Sequence, residues 1–328
     1  MAILVVGGAG YIGSHTVMYL REQGEDVVII DSLETGHKEA TLGATFYEGS
    51  TEDEAILDEI FSKHEIDSVI HFAAYSLVGE SVGNPLKYYE NNVLGTYKLV
   101  KKMQEHDVSR IVFSSTAATY GEPVSIPIKE SDPTIPTNPY GETKLAIERM
   151  LKWCDQAYGL RSVCLRYFNA AGADPNGKIG EDHTPESHLI PIVLQVALGQ
   201  RDHVQIFGDD YDTKDGSCIR DYIHVLDLAQ AHYLAVQSLR EKSESAIYNL
   251  GNGAGFTVKE VIETCREVTG QPIPAHVASR RAGDPATLIA SSQRAKEELG
   301  WQPKYPALKE IITHAWNWHK AHPNGFSS

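Results

Sequence analysis

Val5-Val6-Gly7-Gly8-Ala9-Gly10-Tyr11-Ile12-Gly13 joins the end of a short β-branched run, residues 3–6, to the start of an amphipathic segment, residues 12–23. In that setting each glycine has a task. Gly7 permits a tight turn out of a strand, Gly10 lets backbone approach a pyrophosphate, and Gly13 lets the following helix pack on the strand. Tyr11 and Ile12 then sit on the first turn of a helix whose free N–H groups and positive dipole end favour phosphate. Asp31 closes the next apolar run, at the distance where an acidic side chain meets the adenosine ribose hydroxyls. A carboxylate there repels a 2′-phosphate, and Ser32-Leu33-Glu34-Thr35 holds no arginine, so NAD is expected rather than NADP.

Outward from this stretch, β-branched runs alternate with longer amphipathic ones. Strands are expected at 3–6, 26–30, 44–48, 68–72, 110–114 and 162–166, and helices at 12–23, 53–64, 85–105 and 139–158. Parallel strands with right-handed helical crossovers give a doubly wound α/β sheet of Rossmann type, its ligand crevice at the carboxyl ends of the strands. Past Arg166 the pattern is broken by Ala173-Asp174-Pro175-Asn176-Gly177 and Thr184-Pro185. A loop there leads into a smaller C-terminal α/β lobe. The expected division is 1–170 for the dinucleotide domain and 171–328 for the substrate lobe, with segments near 225–268 returning to the first domain. Helices are expected at 189–198, 225–239, 257–268 and 308–320, and strands at 204–207 and 246–250.

Composition narrows the partners. The 328 residues carry a formal charge of −15, which argues against nucleic acid and anionic membrane surfaces. The first apolar run breaks at glycines before a signal segment or a membrane span can form, so a cytoplasmic protein is expected. Cys154, Cys164, Cys218 and Cys265 lack metal or disulfide spacing and read as free thiols. Glu181-Asp182-His183 through His188 is the densest group of potential metal ligands, but without a recognised spacing no metal is expected.

Ser114-Ser115-Thr116 ends the fifth strand, and Tyr140 and Lys144 lie four apart at the start of the following helix. Residues i and i+4 share a helix face, so the Lys144 ammonium can stabilise a Tyr140 phenolate. Tyr140 then exchanges a proton with a substrate hydroxyl, Thr116 holds that hydroxyl, and Lys144 also reaches the nicotinamide ribose. With Ser114 beside them, these side chains form the expected chemical centre.

At these residues the chain resembles the extended short-chain dehydrogenase/reductase family, in particular its members that invert C4 of UDP-hexoses. Besides the glycine stretch and Tyr140 to Lys144, the likeness rests on His71-Phe72-Ala73-Ala74, Tyr88-Tyr89-Glu90-Asn91-Asn92-Val93, Leu165-Arg166-Tyr167-Phe168-Asn169, Arg220-Asp221-Tyr222-Ile223-His224-Val225 and Arg281-Ala282-Gly283-Asp284. The resemblance implies a tightly held NAD, contacted by Phe72, Ala73, Ala74, Asn91 and Phe168. It implies a UDP-hexose gripped by Asn169, Leu189, Phe207 near the uracil, Arg220 and Arg281 on the diphosphate, Tyr222, and Asp284 at the uridine ribose. A homodimer packed through 85–105 and 139–158 is implied as well.

Some positions depart from the family pattern. Gly49-Ser50-Thr51 replaces a common Gly-Asp pair, so hydroxyls of Ser50 and Thr51 stand in for a carboxylate at the adenine. Thr116 replaces a common serine, Ser76 a lysine and His188 an asparagine. Leu288 stands where family members with a large aromatic exclude a 2-acetamido group, so activity on UDP-N-acetylglucosamine and its galactosamine epimer is expected. Dehydratases on this fold carry an Asp-Glu pair after the strand-end hydroxyl, whereas Ala117-Ala118 stand here and cannot transfer protons. A 4-epimerase for another nucleotide sugar such as UDP-glucuronate, or a non-catalytic NAD sensor, are the alternatives.

Overall fold

Val6 pairs with Ile30 on one side and His71 on the other, so the strand that leads into the glycine turn lies between strands two and four. The computed structural model describes residues 1–281 and 284–326. Its strands are β1 (Ala2–Val6), β2 (Asp26–Asp31), β3 (Thr45–Glu48), β4 (Ile66–His71), β5 (Arg110–Thr116), β6 (Arg161–Tyr167), β7 (Asn169–Ala171), β8 (Val204–Phe207), β9 (Ile219–Arg220), β10 (Tyr222–His224), β11 (Ala246–Leu250), β12 (Phe256–Thr257), β13 (Ala275–Ala278) and β14 (Thr287–Leu288). The main sheet runs β11-β6-β5-β4-β1-β2-β3, with every pair parallel. The order reverses beside β1, which places the ligand crevice at the end of Val6.

Alternation along these strands feeds two cores. The helices are α1 (Tyr11–Glu22), α2 (Glu54–Lys63), α3 (Val78–Gly83), α4 (Pro85–Tyr88), α5 (Gly95–Glu105), α6 (Pro139–Tyr158), α7 (Leu189–Ala197), α8 (Val225–Glu241), α9 (Val258–Thr269), α10 (Gln293–Glu298) and α11 (Leu308–Ala321). Ile3, Val5, Ile29, Ile70, Val112 and Val163 face α1 and α8 through Val17, Leu20, Leu228 and Val236. Leu4, Val6, Val28, Ile30, Val69 and Ile111 face α2, α5 and α6 through Leu57, Leu99 and Ile147. A strand apolar on both faces is what a sheet covered on both sides requires.

Two features differ from the sequence expectation. The helix expected over 85–105 is divided by a π-helical turn, Tyr89–Leu94, which brings Asn92 inward while Asn91 stays half-buried. Such turns are rare and concentrate at functional sites. The return to the main sheet ends at β11 rather than near 268, because Val261, Ile262 and Cys265 of α9 pack with α7 and α11 in a separate apolar cluster. The short strands β7, β9, β10 and β12–β14 have two to four residues each, too few for a period of two to register. Cys164, Cys218 and Cys265 are buried, Cys154 is half-buried, and all four are free thiols. No helix among the described residues is long and apolar enough to cross a membrane.

Candidate active site

The turn after β1 is shaped by close backbone approaches. A Cβ at Gly13 would lie 2.1 Å from the Gly7 carbonyl oxygen, and one at Gly7 would lie 2.6 Å from the Ala73 nitrogen. Gly7 also has φ +82°, where a side chain is strained. Around Gly10 the nearest atom to such a Cβ is 3.5 Å away, so space for a phosphate adjoins the helix start. The Tyr11 hydroxyl donates 2.7 Å to the Gly172 carbonyl, so its phenol ties the turn to the second lobe and leaves its backbone for a cofactor. Ile12 is half-buried behind it.

Asp31 accepts from the backbone nitrogens of Ala9 and Leu33, both at 2.9 Å. Burial pushes its carboxyl upward, and the N–H groups of Leu33, Ala9 and Gly10 pull it part way back. A carboxylate has about four lone-pair sites, so ribose hydroxyls can be accommodated as well. Ser32 follows it, Ser50 and Thr51 follow β3, Phe72-Ala73-Ala74 follow β4, Asn91 lies in the π-helical turn and Phe168 follows β6. Thr51 is buried, and its hydroxyl is 2.7 Å from where a Cβ on Gly95 would stand. The Phe72 ring packs 4.6 Å from that of His232. The glycine cradle, which side chains would fill, and the Asp31 carboxylate together fit NAD.

Thr116 ends β5, and Tyr140 and Lys144 occupy the first turns of α6. This helix starts where Asn138 accepts from the Gly141 nitrogen at 2.9 Å, with Pro139 at the first position. A Cβ at Gly141 would lie 2.5 Å from the Ala118 carbonyl oxygen, so glycine brings α6 against the turn after Thr116. Burial pushes the Tyr140 phenol up, and the nearby Thr116 hydroxyl offsets part of that. Burial also depresses the Lys144 ammonium to about 7, against an upward pull from Glu148. The expected lowering of the tyrosine by the lysine is therefore not what this environment produces. Lys144 donates 2.8 Å to the Ser114 carbonyl and lies 4.8 Å over the Phe113 ring. The Ser114 hydroxyl is hydrogen-bonded to Tyr167.

Behind this centre lies a polar network absent from the sequence reading. Glu148, one turn beyond Lys144, accepts from Arg166 Nε at 2.9 Å, from a second guanidinium nitrogen and from Ser115. Arg166 donates at 2.9 Å to Tyr120 Oη, which donates at 2.7 Å to Asn249. Asn92 was missed too: its amide holds both backbone polar groups of Tyr75 and meets Thr143 at 3.2 Å. The i−4 and i+4 neighbours of Asn92, Tyr88 and Thr96, are likewise buried, and that spacing was the available signal.

A cavity of about 650 Å³ is lined by Asn169, Leu189, Phe207, Arg220, Tyr222, Arg281 and Asp284, so these residues expected at UDP share one wall. Arg281 stacks over Phe207, with 3.9 Å from the guanidinium carbon to the ring centre. Arg220 pairs with Asp284, while Asp221 is buried and accepts from backbone nitrogens of Asn252, Gly253 and Ala290 at 2.6 to 3.0 Å. Arg220 also donates to the Ile219 and Pro285 carbonyls, at 2.8 and 2.9 Å, so its pair with Asp284 is held at the cavity wall. Leu288 pairs with Arg220 across β14 and β9. Asn169 donates to the Asp221 carbonyl at 2.9 Å.

A doubly wound sheet with a glycine cradle at its switch point and a Thr, Tyr and Lys group at the end of β5 defines an NAD-dependent enzyme of the short-chain dehydrogenase/reductase class. The chain belongs to the NAD dependent epimerase/dehydratase family, whose model matches residues 3–251. It is 71% identical over 328 residues to the UDP-glucose 4-epimerase of Halalkalibacterium halodurans, covering 100% of this chain and 98% of the relative. Among solved structures it resembles a UDP-glucose 4-epimerase with TM-score 0.98 and 59% identity, covering 100% of both chains. It also resembles the UDP-glucose 4-epimerase from Bifidobacterium longum in complex with NAD+ and UDP, with TM-score 0.94 and 40% identity, covering 99% of this chain and 100% of that one.

Proposed function

We propose that the chain interconverts UDP-glucose and UDP-galactose by reversible oxidation at C4. One observation carries this reading most strongly: Gly141 seats the start of α6, and with it Tyr140, against the turn that follows Thr116, and the residues of that turn are Ala117 and Ala118. Proton exchange with a hydroxyl is provided for, and the extra acid and base of a dehydration are not. Bound NAD supplies the hydride acceptor for the forward half and the donor for the return. Thr116 orients the 4-hydroxyl and Tyr140 takes its proton as hydride departs from C4. The 4-keto sugar then presents its other face, and Tyr140 returns the proton to the new hydroxyl oxygen. Arg220, Arg281, Phe207 and Asn169 hold the UDP end, which lets the hexose turn while the nucleotide stays fixed.

The purified protein without added NAD, incubated with UDP-galactose, yields UDP-glucose by NMR. Leu288 is smaller than the aromatic that excludes a 2-acetamido group in relatives, so UDP-N-acetylgalactosamine is expected to be converted as well. Leu288→Tyr lowers turnover of the acetylated sugar by roughly tenfold or more while sparing UDP-galactose. No turnover of UDP-N-acetylgalactosamine by the unsubstituted enzyme at saturating concentration would remove the wider specificity and leave the epimerase reading standing.

A homodimer is part of this proposal. Leu86, Tyr89, Leu94 and Tyr97 are exposed along α4, the π-helical turn and α5, and Trp153 is 67% exposed on α6. Large apolar side chains concentrated on adjacent helices suit a second copy of the chain. Trp153→Glu combined with Tyr97→Glu is expected to shift the sedimenting species from dimer to monomer; a monomeric parent protein would refute this packing.

A further inference from the structure

The loop between β7 and α7 gathers Glu181, His183, Glu186 and His188, whose potential ligand atoms all lie within 4.8 Å of one another. His183 Nδ1 is 3.3 Å from Glu181 Oε1 and 3.9 Å from Glu186 Oε2, and His188 Nδ1 is 3.9 Å from Glu186 Oε1. His188 also meets Glu181 directly. A tetrahedral zinc with bonds of about 2.0 to 2.1 Å has donor atoms about 3.3 to 3.5 Å apart. The His183 to Glu181 separation matches that figure and the two of 3.9 Å exceed it slightly, so an ion would draw Glu186 inward and open the His188 to Glu181 contact.

We propose that these four side chains form a structural site for a divalent transition metal, with zinc the fitting ion. The Glu181 and Glu186 side chains are only 3% and 4% exposed. Among the described residues, neither carboxylate has a lysine or arginine partner: the side chains paired with them are His183 and His188, and Glu186 also accepts from the backbone nitrogens of Ser187 and His188 at 2.7 and 2.8 Å. Two imidazoles and two carboxylates select zinc over magnesium or calcium, which prefer all-oxygen sets. His188 is 49% exposed, which leaves a path for the ion.

The position gives the metal a purpose. The His183 ring stands edge-on to Tyr11, with ring centres 6.1 Å apart, and His188 precedes Leu189 at the start of α7. Beside them Asp182 accepts from the Phe326 nitrogen at 2.9 Å and approaches His37 at 3.3 Å. A four-ligand metal would fasten the glycine turn, this loop and the α7 entrance together. With four protein ligands it would be structural rather than catalytic.

The test uses untagged protein stripped with a strong chelator and re-equilibrated with zinc. Elemental analysis is expected to give one zinc per chain, with a rise in the thermal unfolding midpoint. Substitution with cobalt(II) should give the intense visible bands of four-coordinate cobalt, which magnesium addition leaves undisturbed. His183→Gln is expected to weaken zinc about 100-fold or more, whereas His183→Cys, offering a thiolate, keeps it and guards against a merely misfolded variant. Substoichiometric zinc in the parent, six-coordinate cobalt spectra, or unchanged zinc affinity in a His183→Gln/Glu186→Gln variant would each overturn the assignment.

Discussion

Tyr140→Phe lowers kcat for UDP-galactose by roughly 10²- to 10⁴-fold, the usual worth of a positioned acid or base, while NAD stays bound. The substitution removes one oxygen and keeps the ring, so the packing of α6 is retained and folding is unaffected. What is lost is the group that must both take and return the C4 proton; both half-reactions suffer together. Burial holds the unassisted phenol above its usual range, and the Thr116 hydroxyl opposes that shift. Thr116→Val, which keeps the shape without the hydroxyl, should therefore fall in the same direction by a smaller factor, and Thr116→Ser should recover most of the activity. Single-turnover reduction of bound NAD by UDP-galactose, followed by absorbance, separates proton transfer from product release. Unchanged turnover in Tyr140→Phe would reject the phenol as the base and point to Lys144, whose own depressed value near 7 makes it the next candidate.

The main sheet was legible because its signals are redundant. β1 is buried at all five positions and is bounded by a glycine turn, so run length, β-branching and punctuation agree. Pro139 and Asn138 announce the start of α6 in the same way, and the expected helix matches Pro139–Tyr158. The second lobe lacks such agreement. β9 pairs with β12 on one side and β14 on the other, yet each has two residues and the three are far apart in the chain. Nothing local encodes that pairing; of the three strands, β12 alone packs on the apolar cluster of α7, α9 and α11, through Phe256.

The same distinction holds at the site. Gly7, Gly13, Asp31, Tyr140 and Lys144 can be proposed from the sequence because the chemistry expected of them is tied to fixed spacings. Tyr11 was expected at the cofactor, but its hydroxyl goes to Gly172, 161 positions away, a partner that spacing does not reveal. Glu181, His183, Glu186 and His188 lie close in sequence, but only the folding of their loop brings both imidazoles and both carboxylates within 4.8 Å of one another. The environment of Lys144 was the least legible. Its neighbour Glu148 sits one helical turn away, in plain view, but the compensating Arg166 comes from β6, where it interrupts an apolar run.

That pair carries the largest stability effect expected in the molecule. The Glu148 and Arg166 side chains are each only 4% exposed and make two side-chain hydrogen bonds to one another. Arg166→Met leaves Glu148 buried with Ser115 as its remaining donor, and breaking such a pair costs about 3–5 kcal/mol. Glu148→Gln keeps an acceptor for Arg166 and should cost less, while Arg166→Met joined to Glu148→Leu should recover much of the loss, since a buried pair replaced by apolar residues is often close to neutral. Denaturant unfolding of the three variants checks the ordering. The double variant also separates stability from chemistry: it restores the fold but withdraws the carboxylate that pulls the Lys144 ammonium upward. Its lysine should titrate lower than in the parent, and because the ammonium is the form that stabilises a Tyr140 phenolate, the alkaline side of the kcat–pH profile should shift downward. A fully recovered fold with an unshifted profile would show that Glu148 serves the packing of α6 on β6 and leaves the proton balance of Lys144 untouched.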